Sequence, residues 1–93
     1  MGILDHAGSA SFSIYPVPNN GQFTVMISSP VDEIFTIMVY NQIGVKLFGL
    51  SDAATVGGKF ETQIYLRPIT SGMYLVAFMN SENKVVRKIF VNQ

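Results

Sequence analysis

Few residues of this chain have types that could carry chemistry, and they are scattered. His6 is the only histidine, and it lies in a weakly patterned N-terminal stretch. Ser28, Ser29 and Ser71 therefore lack a histidine base within a patterned segment, and a serine nucleophile would have nothing to activate it. The absence of cysteine excludes thiolate catalysis, disulfides and cysteine-based zinc sites. The sequence predicts that this chain is not an enzyme.

Acidic and glycine-rich pairs offer no better candidate for a metal or phosphate site. The adjacent carboxylates Asp32-Glu33 would point to opposite faces of a strand, so we interpret them as turn residues. Calcium needs several oxygen ligands from one loop, and the segments 51–52 and 80–83 are more typical of solvated turns. Gly57 and Gly58 precede Lys59 but lack the serine and helix of a phosphate loop. We expect no metal and no cofactor.

The charge balance bears on the kind of partner. Six acidic residues match six basic ones, so the chain has no net field that would attract nucleic acid. Arg87-Lys88 lies near Phe90, but neighbouring side chains on a strand diverge, and edge protection is the simpler interpretation. Nucleic acid is therefore not expected as a partner. The charged fraction of 13% is about half the globular average, which predicts a large exposed apolar or uncharged surface.

Short alternating segments separated by turn signals determine the fold class. The 93 residues suffice for one domain, and 48% of them are hydrophobic. No run approaches the roughly 18 apolar residues of a membrane span. Seven segments have strand character: 12–15, 22–28, 33–40, 45–50, 59–66, 68–79 and 84–91. They predict an all-β, immunoglobulin-like Greek-key β-sandwich of about seven antiparallel strands, with a small barrel as the alternative.

Individual segments allow more specific expectations. Pro16 and Pro18 lack amide donors, so we expect the strand at 12–15 to lie at a sheet edge. The nearly all-apolar segment 33–40 predicts a central strand covered on both sides. We expect loops at 51–58 and 80–83, and a closing hairpin formed by the last two segments.

The N-terminal residues 1–10 are expected to form a flexible leader or linker, with the domain proper at 11–93. Small residues at 7–10 would suit a peptidase that binds an extended chain. Strands that begin so close to Met1 favour a domain taken from the C-terminal part of a longer protein.

Four segments carry a resemblance to a known family. They are Tyr15-Pro16-Val17-Pro18-Asn19-Asn20-Gly21-Gln22-Phe23, Val39-Tyr40-Asn41-Gln42-Ile43-Gly44, Ile69-Thr70-Ser71-Gly72-Met73-Tyr74-Leu75-Val76 and Val86-Arg87-Lys88-Ile89-Phe90-Val91. In order and spacing they resemble the type A C-terminal sorting domain of the Por, or type IX, secretion system, over residues 12 to 91.

The resemblance implies a role as a detachable address label. A cargo protein, whose N-terminal cargo domain is missing from this chain, would reach the periplasm of a Gram-negative bacterium. The outer-membrane secretion translocon would then recognise the domain, and a sortase-like peptidase would remove it. The destination would be secreted or at the cell surface, and the domain would be a substrate rather than a catalyst.

Residue by residue, the resemblance assigns three sets of positions. The residues expected to be recognised by the translocon are Gly72, Tyr74, Arg87, Lys88, Ile89, Phe90 and Val91. The residues that complete the motifs are Tyr15, Pro16, Pro18, Gly21, Phe23, Tyr40, Asn41 and Gly44. The candidate cleavage region comprises His6, Ala7, Gly8, Ser9, Ala10 and Ser11. Val17 departs from the family, which usually has asparagine there.

Two other functions are compatible with the fold class. A β-sandwich adhesion or carbohydrate-binding module could use Tyr40, Tyr65 or Phe48 as a stacking platform. An oligomerisation module could use an exposed edge, 12–15 or 84–91, to form a strand-paired or swapped homodimer.

Overall fold

A computed structural model describes residues 3–7, 10–17, 20–66, 70–80 and 83–92, with the backbone alone described at 3–7. These residues form eight strands, and no helix in the described part is long and apolar enough to cross a membrane. The strands are β1 (Ile3–Ala7), β2 (Ala10–Tyr15), β3 (Gln22–Ser28), β4 (Ile34–Tyr40), β5 (Lys46–Ala54), β6 (Lys59–Tyr65), β7 (Gly72–Met79) and β8 (Lys84–Val91).

The strands form two antiparallel sheets of four. The first sheet has the order β1-β2-β3-β6 and the second has the order β5-β4-β7-β8. The chain passes from one sheet to the other between β3 and β4, between β5 and β6, and between β6 and β7. The predicted all-β class is confirmed, and the arrangement is compatible with an immunoglobulin-like sandwich rather than a barrel.

The core lies between the sheets because each strand directs alternate residues inward. Phe12 of the first sheet packs edge-on against Phe35, with centroids 5.4 Å apart. It also stacks on Phe78 at 4.6 Å. Both partners belong to the second sheet, so Phe12 joins the two layers. The other largest fully buried side chains are Ile14, Phe23, Val25, Ile27, Ile37, Val39, Ile64, Val76 and Ile89.

The N-terminal strand corrects two expectations. Residues 3–7 are not a structureless leader, because they pair with β2 from Ile3↔Ile14 to Ala7↔Ala10. Consequently β2 lies between β1 and β3 and is not the edge strand that the prolines predicted. The sequence missed β1 because Ile3-Leu4-Asp5-His6 does not alternate, whereas pairing needs only a free neighbouring backbone.

Strands β4 and β5 correct two further expectations from the sequence. β4 is central, as predicted, but only its inward residues Phe35, Ile37 and Val39 are buried. On its outward side Ile34 is exposed and the other residues are half-buried, so the strand is not covered on both sides. β5 extends through Ala54, so the loop predicted from residue 51 begins later. A register shift between Phe35 and Ile37 accommodates Asp52, which has φ +61°. The polar pair 51–52 therefore forms a bulge within a strand.

A turn cluster closes one end of the sandwich, around the interpreted turn residues Asp32 and Glu33. Asp32 accepts a hydrogen bond from the amide of Gly58 (3.0 Å). The Glu33 carboxylate accepts hydrogen bonds from the Ser29 hydroxyl and from the side-chain amide of Asn80. The carboxylates thus tie the β3–β4 turn to the turns that follow β5 and β7. The turn interpretation of this pair is confirmed.

Candidate functional site

All four segments that carry the family resemblance contribute to one end of the sandwich, opposite the turn cluster. We call this the motif end, and its described residues are 15–17, 20–21, 40–45, 70–74 and 90–92. The strand registers produce the convergence: Gly72 pairs with Val91, Tyr40 pairs with Leu75, and the amide of Leu66 donates to the carbonyl of Gly21 at 2.8 Å. Segments far apart in sequence therefore lie at the same end of the sandwich, and two of them pair directly at the end of β8.

The β4–β5 turn owes its shape to Asn41. The side-chain oxygen of Asn41 accepts hydrogen bonds from the amides of Ile43 (3.1 Å) and Val45 (2.9 Å). Its own amide donates to the carbonyl of Val45 at 3.0 Å. Gly44 has φ +88°, a conformation that glycine adopts without strain. Both residues therefore have a structural reason to stand in the motif, and the predicted turn is confirmed.

The β2–β3 connection begins with a cis Tyr15–Pro16 bond. Asn20 accepts a hydrogen bond from the amide of Gln22 at 3.2 Å, and Gly21 has φ +102°. Phe23 then enters the core. Pro18 lies outside the described residues. Val17 packs against the core, so an apolar side chain suits this position although it departs from the family pattern.

Gly72 and Tyr74 begin β7. Gly72 has φ +152°, and a Cβ there would lie 3.0 Å from Nε2 of Gln42. Tyr74 is 5% exposed, and its hydroxyl donates to the carbonyl of Thr70 at 2.6 Å. A tyrosine that bonds back to the backbone at the start of this strand matches the tyrosine corner of immunoglobulin-like sandwiches. Both residues therefore shape the loop that precedes β7.

The terminal strand presents its two faces differently. Ile89 and Val91 are buried, whereas Phe90 is 55% exposed and Lys88 is also exposed. Arg87 is half-buried, and its guanidinium donates to the carbonyl of Val86 at 2.9 Å. Of the residues that the resemblance assigns to recognition, Lys88 and Phe90 are thus the most accessible. The expectation that Arg87 and Lys88 diverge is confirmed.

An open pocket of about 520 Å³ lies at the motif end. Its lining combines the β4–β5 turn with the start of β7: Asn41, Gln42, Ile43, Leu47, Thr70, Ser71, Met73 and Tyr74. Ile43 is 83% exposed at its rim, so the pocket offers apolar contacts beside amide and hydroxyl groups. Such a surface can bind a partner but holds no reactive constellation.

The candidate cleavage region falls on the β1–β2 hairpin. The backbones of His6 and Ala7 pair with those of Ser11 and Ala10. Ala10 is fully buried. Gly8 and Ser9 lie outside the described residues. The leader interpretation assumed a single extended segment here, and the pairing of 6–7 with 10–11 contradicts it.

The aromatic residues suggested as a stacking platform do not gather. Tyr40 lies on the outer side of the second sheet, where its hydroxyl donates to the sulfur of Met38 at 2.9 Å. Tyr65 lies on the outer side of the first sheet and donates to Gln63 at 3.0 Å. Phe48 packs against the core. Within the described residues, no group of three or more histidine or acidic side chains could hold a metal ion.

Sequence reasoning missed an apolar surface on the second sheet. The apolar face comprises the outward residues of β4, β7 and β8: Ile34, Thr36, Met38, Tyr40, Met73, Leu75, Ala77, Met79, Lys84, Val86, Lys88 and Phe90. The missed signal is in β7, where outward and inward positions are both apolar, so the strand does not alternate. The low charged fraction predicted an exposed apolar or uncharged surface, and this partly exposed face is compatible with that prediction.

Comparison with known proteins agrees with the motifs. No curated protein matches the chain. A family model described as the secretion system C-terminal sorting domain matches residues 13–92, which include β3 to β8 and most of β2. Such a domain is a sorting signal of the type IX secretion system, which implies interaction with that machinery and a secreted or cell-surface destination. The chain belongs to the family of secretion-system C-terminal sorting domains.

Proposed function

We infer that the type IX translocon recognises this domain at its motif end, after the attached cargo has reached the periplasm, and that a sortase-like peptidase then removes the domain. The observation that best supports recognition there is that all four motif segments contribute to this end of the sandwich. Buried motif residues, such as Tyr74 and Ile89, set the shape of this end. Lys88 and Phe90 present accessible side chains to the translocon.

The test uses a reporter that carries a signal peptide and is fused to residues 1–93, in a bacterium with a type IX secretion system. The wild-type fusion should reach the medium or the cell surface. Deletion of 86–93 should trap it in the periplasm. Export that survives the deletion would contradict recognition at this end.

The deletion also removes the core residues Ile89 and Val91, so a gentler variant is needed. The double change Lys88→Ala and Phe90→Ala alters two exposed side chains of β8 and leaves the core intact. It should lower export several-fold while the thermal midpoint of the purified domain stays near wild type. Lys59→Ala, at the turn-cluster end of β6, is the matched control and should be exported normally.

Removal of the domain has its own test. We expect a cut between His6 and Ser11. Since His6 pairs with Ser11 and Ala7 pairs with Ala10, a cut within these paired residues requires β1 to separate from β2. Mass spectrometry of the secreted reporter should find its new C-terminus in this interval. An intact fusion at the surface would contradict removal and would leave recognition unaffected.

A further inference from the structure

The apolar face forms a continuous surface across three strands. On it, Met38 pairs with Ala77, which in turn pairs with Val86, and Met73 pairs with Phe90. The centre is closely packed, since Ala77 is only 1% exposed, whereas Val86 and Phe90 at the β8 edge are 41% and 55% exposed. A contiguous apolar surface of this kind on a soluble protein marks a contact site.

The charges on and beside the apolar face are mainly positive among the described residues: there are three lysines and one aspartate. The aspartate is Asp52, which is exposed in the β5 bulge opposite Thr36. Lys84 and Lys88 lie along the β8 edge. At the β5 edge, the side chain of Lys46 extends across Gly49, with Nζ 3.6 Å from where a Cβ of Gly49 would be. Gly49 is the β5 partner of Met38, so the Lys46 stem lies next to the apolar residues. Because glycine has no side chain, the Lys46 stem can lie against the strand at Gly49.

This charge distribution selects the class of occupant. If two copies packed face to face, the three lysines of each copy would meet those of the other, with a single aspartate in each copy to offset them. Such like-charge contacts oppose association. A lipid surface requires apolar side chains that protrude into the acyl region, whereas the central residues here pack against one another. A protein with an apolar surface bordered by carboxylates would complement both the shape and the charge. Met38, Met73 and Met79 would adapt to it, because methionine side chains are flexible.

We propose that the apolar face is the docking surface for a protein partner whose contact surface is apolar and bordered by carboxylates. The inference rests on the proposed function, because that partner is taken to belong to the secretion machinery. It extends recognition beyond the motif end, over the whole outer side of the second sheet as far as Lys84, at the opposite end of β8.

The test compares matched pairs of substitutions in the reporter fusion. Lys84→Glu is paired with Lys59→Glu: both lysines are exposed, begin an edge strand and lie at the turn-cluster end, but only Lys84 is on the apolar face. Met38→Gln is paired with Met26→Gln: both methionines are half-buried on internal strands of opposite sheets. Neither Lys84 nor Met38 is among the residues that the family resemblance assigns to recognition.

We expect Lys84→Glu and Met38→Gln each to lower export roughly five- to tenfold, and their partners to be exported as wild type. Thermal unfolding of each purified domain verifies that it is folded, and the two pairs are scored separately so that one misfolded variant does not decide the result. If both apolar-face variants are exported like wild type while the wild-type fusion is exported, the docking surface is wrong and the proposed function stands. A wild-type fusion that stays in the periplasm contradicts both.

Two measurements on the purified wild-type domain test the other occupants. Sedimentation should give a monomer at micromolar concentration, and a dimer that Met38→Gln dissociates would overturn the proposal in favour of a second copy. Flotation with vesicles of phosphatidylglycerol should leave the domain unbound, and binding that Lys84→Glu abolishes would overturn it in favour of an anionic lipid surface.

Discussion

The outer sides of the two sheets enclose the same core but differ in the polarity of their side chains. The polar face, on the first sheet, presents Ser11, Ser13, Tyr15, Gln22, Thr24, Met26, Ser28, Lys59, Glu61, Gln63 and Tyr65. The apolar face, on the second sheet, presents mostly methionine, leucine, valine and aromatic side chains between its lysines. The polar face shows that a four-stranded sheet of this domain folds with serine, threonine and glutamine outside. The apolar outer side of the second sheet is therefore better explained by contact than by folding.

Cross-strand partners sharpen the difference. On the polar face Met26 pairs with Ser13 and Glu61. On the apolar face Met38 pairs with Gly49 and Ala77. Methionine at the central position thus has polar cross-strand partners on the polar face and small apolar partners on the apolar face. Because glycine and alanine are small, an incoming apolar surface can approach Met38 closely.

The largest effect is expected in the core that both faces share. Phe12→Ala should lower the free energy of unfolding by about 3–5 kcal/mol, because it removes the ring that contacts Phe35 and Phe78 and leaves a cavity between the sheets. Urea unfolding followed by tyrosine fluorescence measures the change. A loss below about 1 kcal/mol would mean that the two sheets do not depend on this contact.

The second-largest effect is expected from an aspartate placed at the centre of the apolar face, and the same change on the polar face should cost less stability. Ala77→Asp introduces a carboxylate between Met38 and Val86 at a site that is 1% exposed, and should cost about 1–3 kcal/mol. Ser13→Asp, at a half-buried site of the polar face, should change stability by less than about 1 kcal/mol. Thermal and urea unfolding of the two variants compare them directly. Equal losses would contradict the assigned difference in surroundings.

The sequence predicted the local features well, because alternation and turn residues determine them. The alternation of β3 and β6, the Asn41–Gly44 turn and the closing β7–β8 hairpin all depend on residues close together in the chain. The connection between β7 and β8 is an example, since the side-chain oxygen of Asn80 accepts a hydrogen bond from the backbone amide of Asn83 at 2.7 Å.

The features that the sequence did not predict depend on distant pairing. β1 exists because β2 offers a free backbone edge, and the bulge at Asp52 depends on the register with β4. The four motif segments are far apart in the sequence, and only the crossing between sheets brings them to one end. Lys46 lies next to the apolar face because Gly49 leaves space for its side chain, which no pattern within β5 indicates.

A smaller effect should show whether Tyr74 acts through the fold alone, as its inward position implies. Tyr74→Phe removes the hydrogen bond to the carbonyl of Thr70 and should cost about 1 kcal/mol. The ring stays in the core, so export of the reporter fusion should equal wild type. If export falls several-fold while the unfolding midpoint barely moves, the hydroxyl itself is recognised, and recognition would not be confined to outward residues.

The smallest effect on stability is expected at the exposed aromatic residue of each face. Phe90 is 55% exposed on the apolar face and Tyr65 is 52% exposed on the polar face, so Phe90→Gln and Tyr65→Gln should each change stability by less than about 1 kcal/mol. Their surroundings differ, because Phe90 adjoins Met73, whereas Tyr65 adjoins Gln22 and donates to Gln63. Only Phe90→Gln should therefore reduce the fluorescence of a bound apolar dye such as anilinonaphthalene sulfonate. Equal reductions in the two variants would show that the dye does not distinguish the faces, and the contrast in exposed apolar surface between the two sheets would have to be withdrawn.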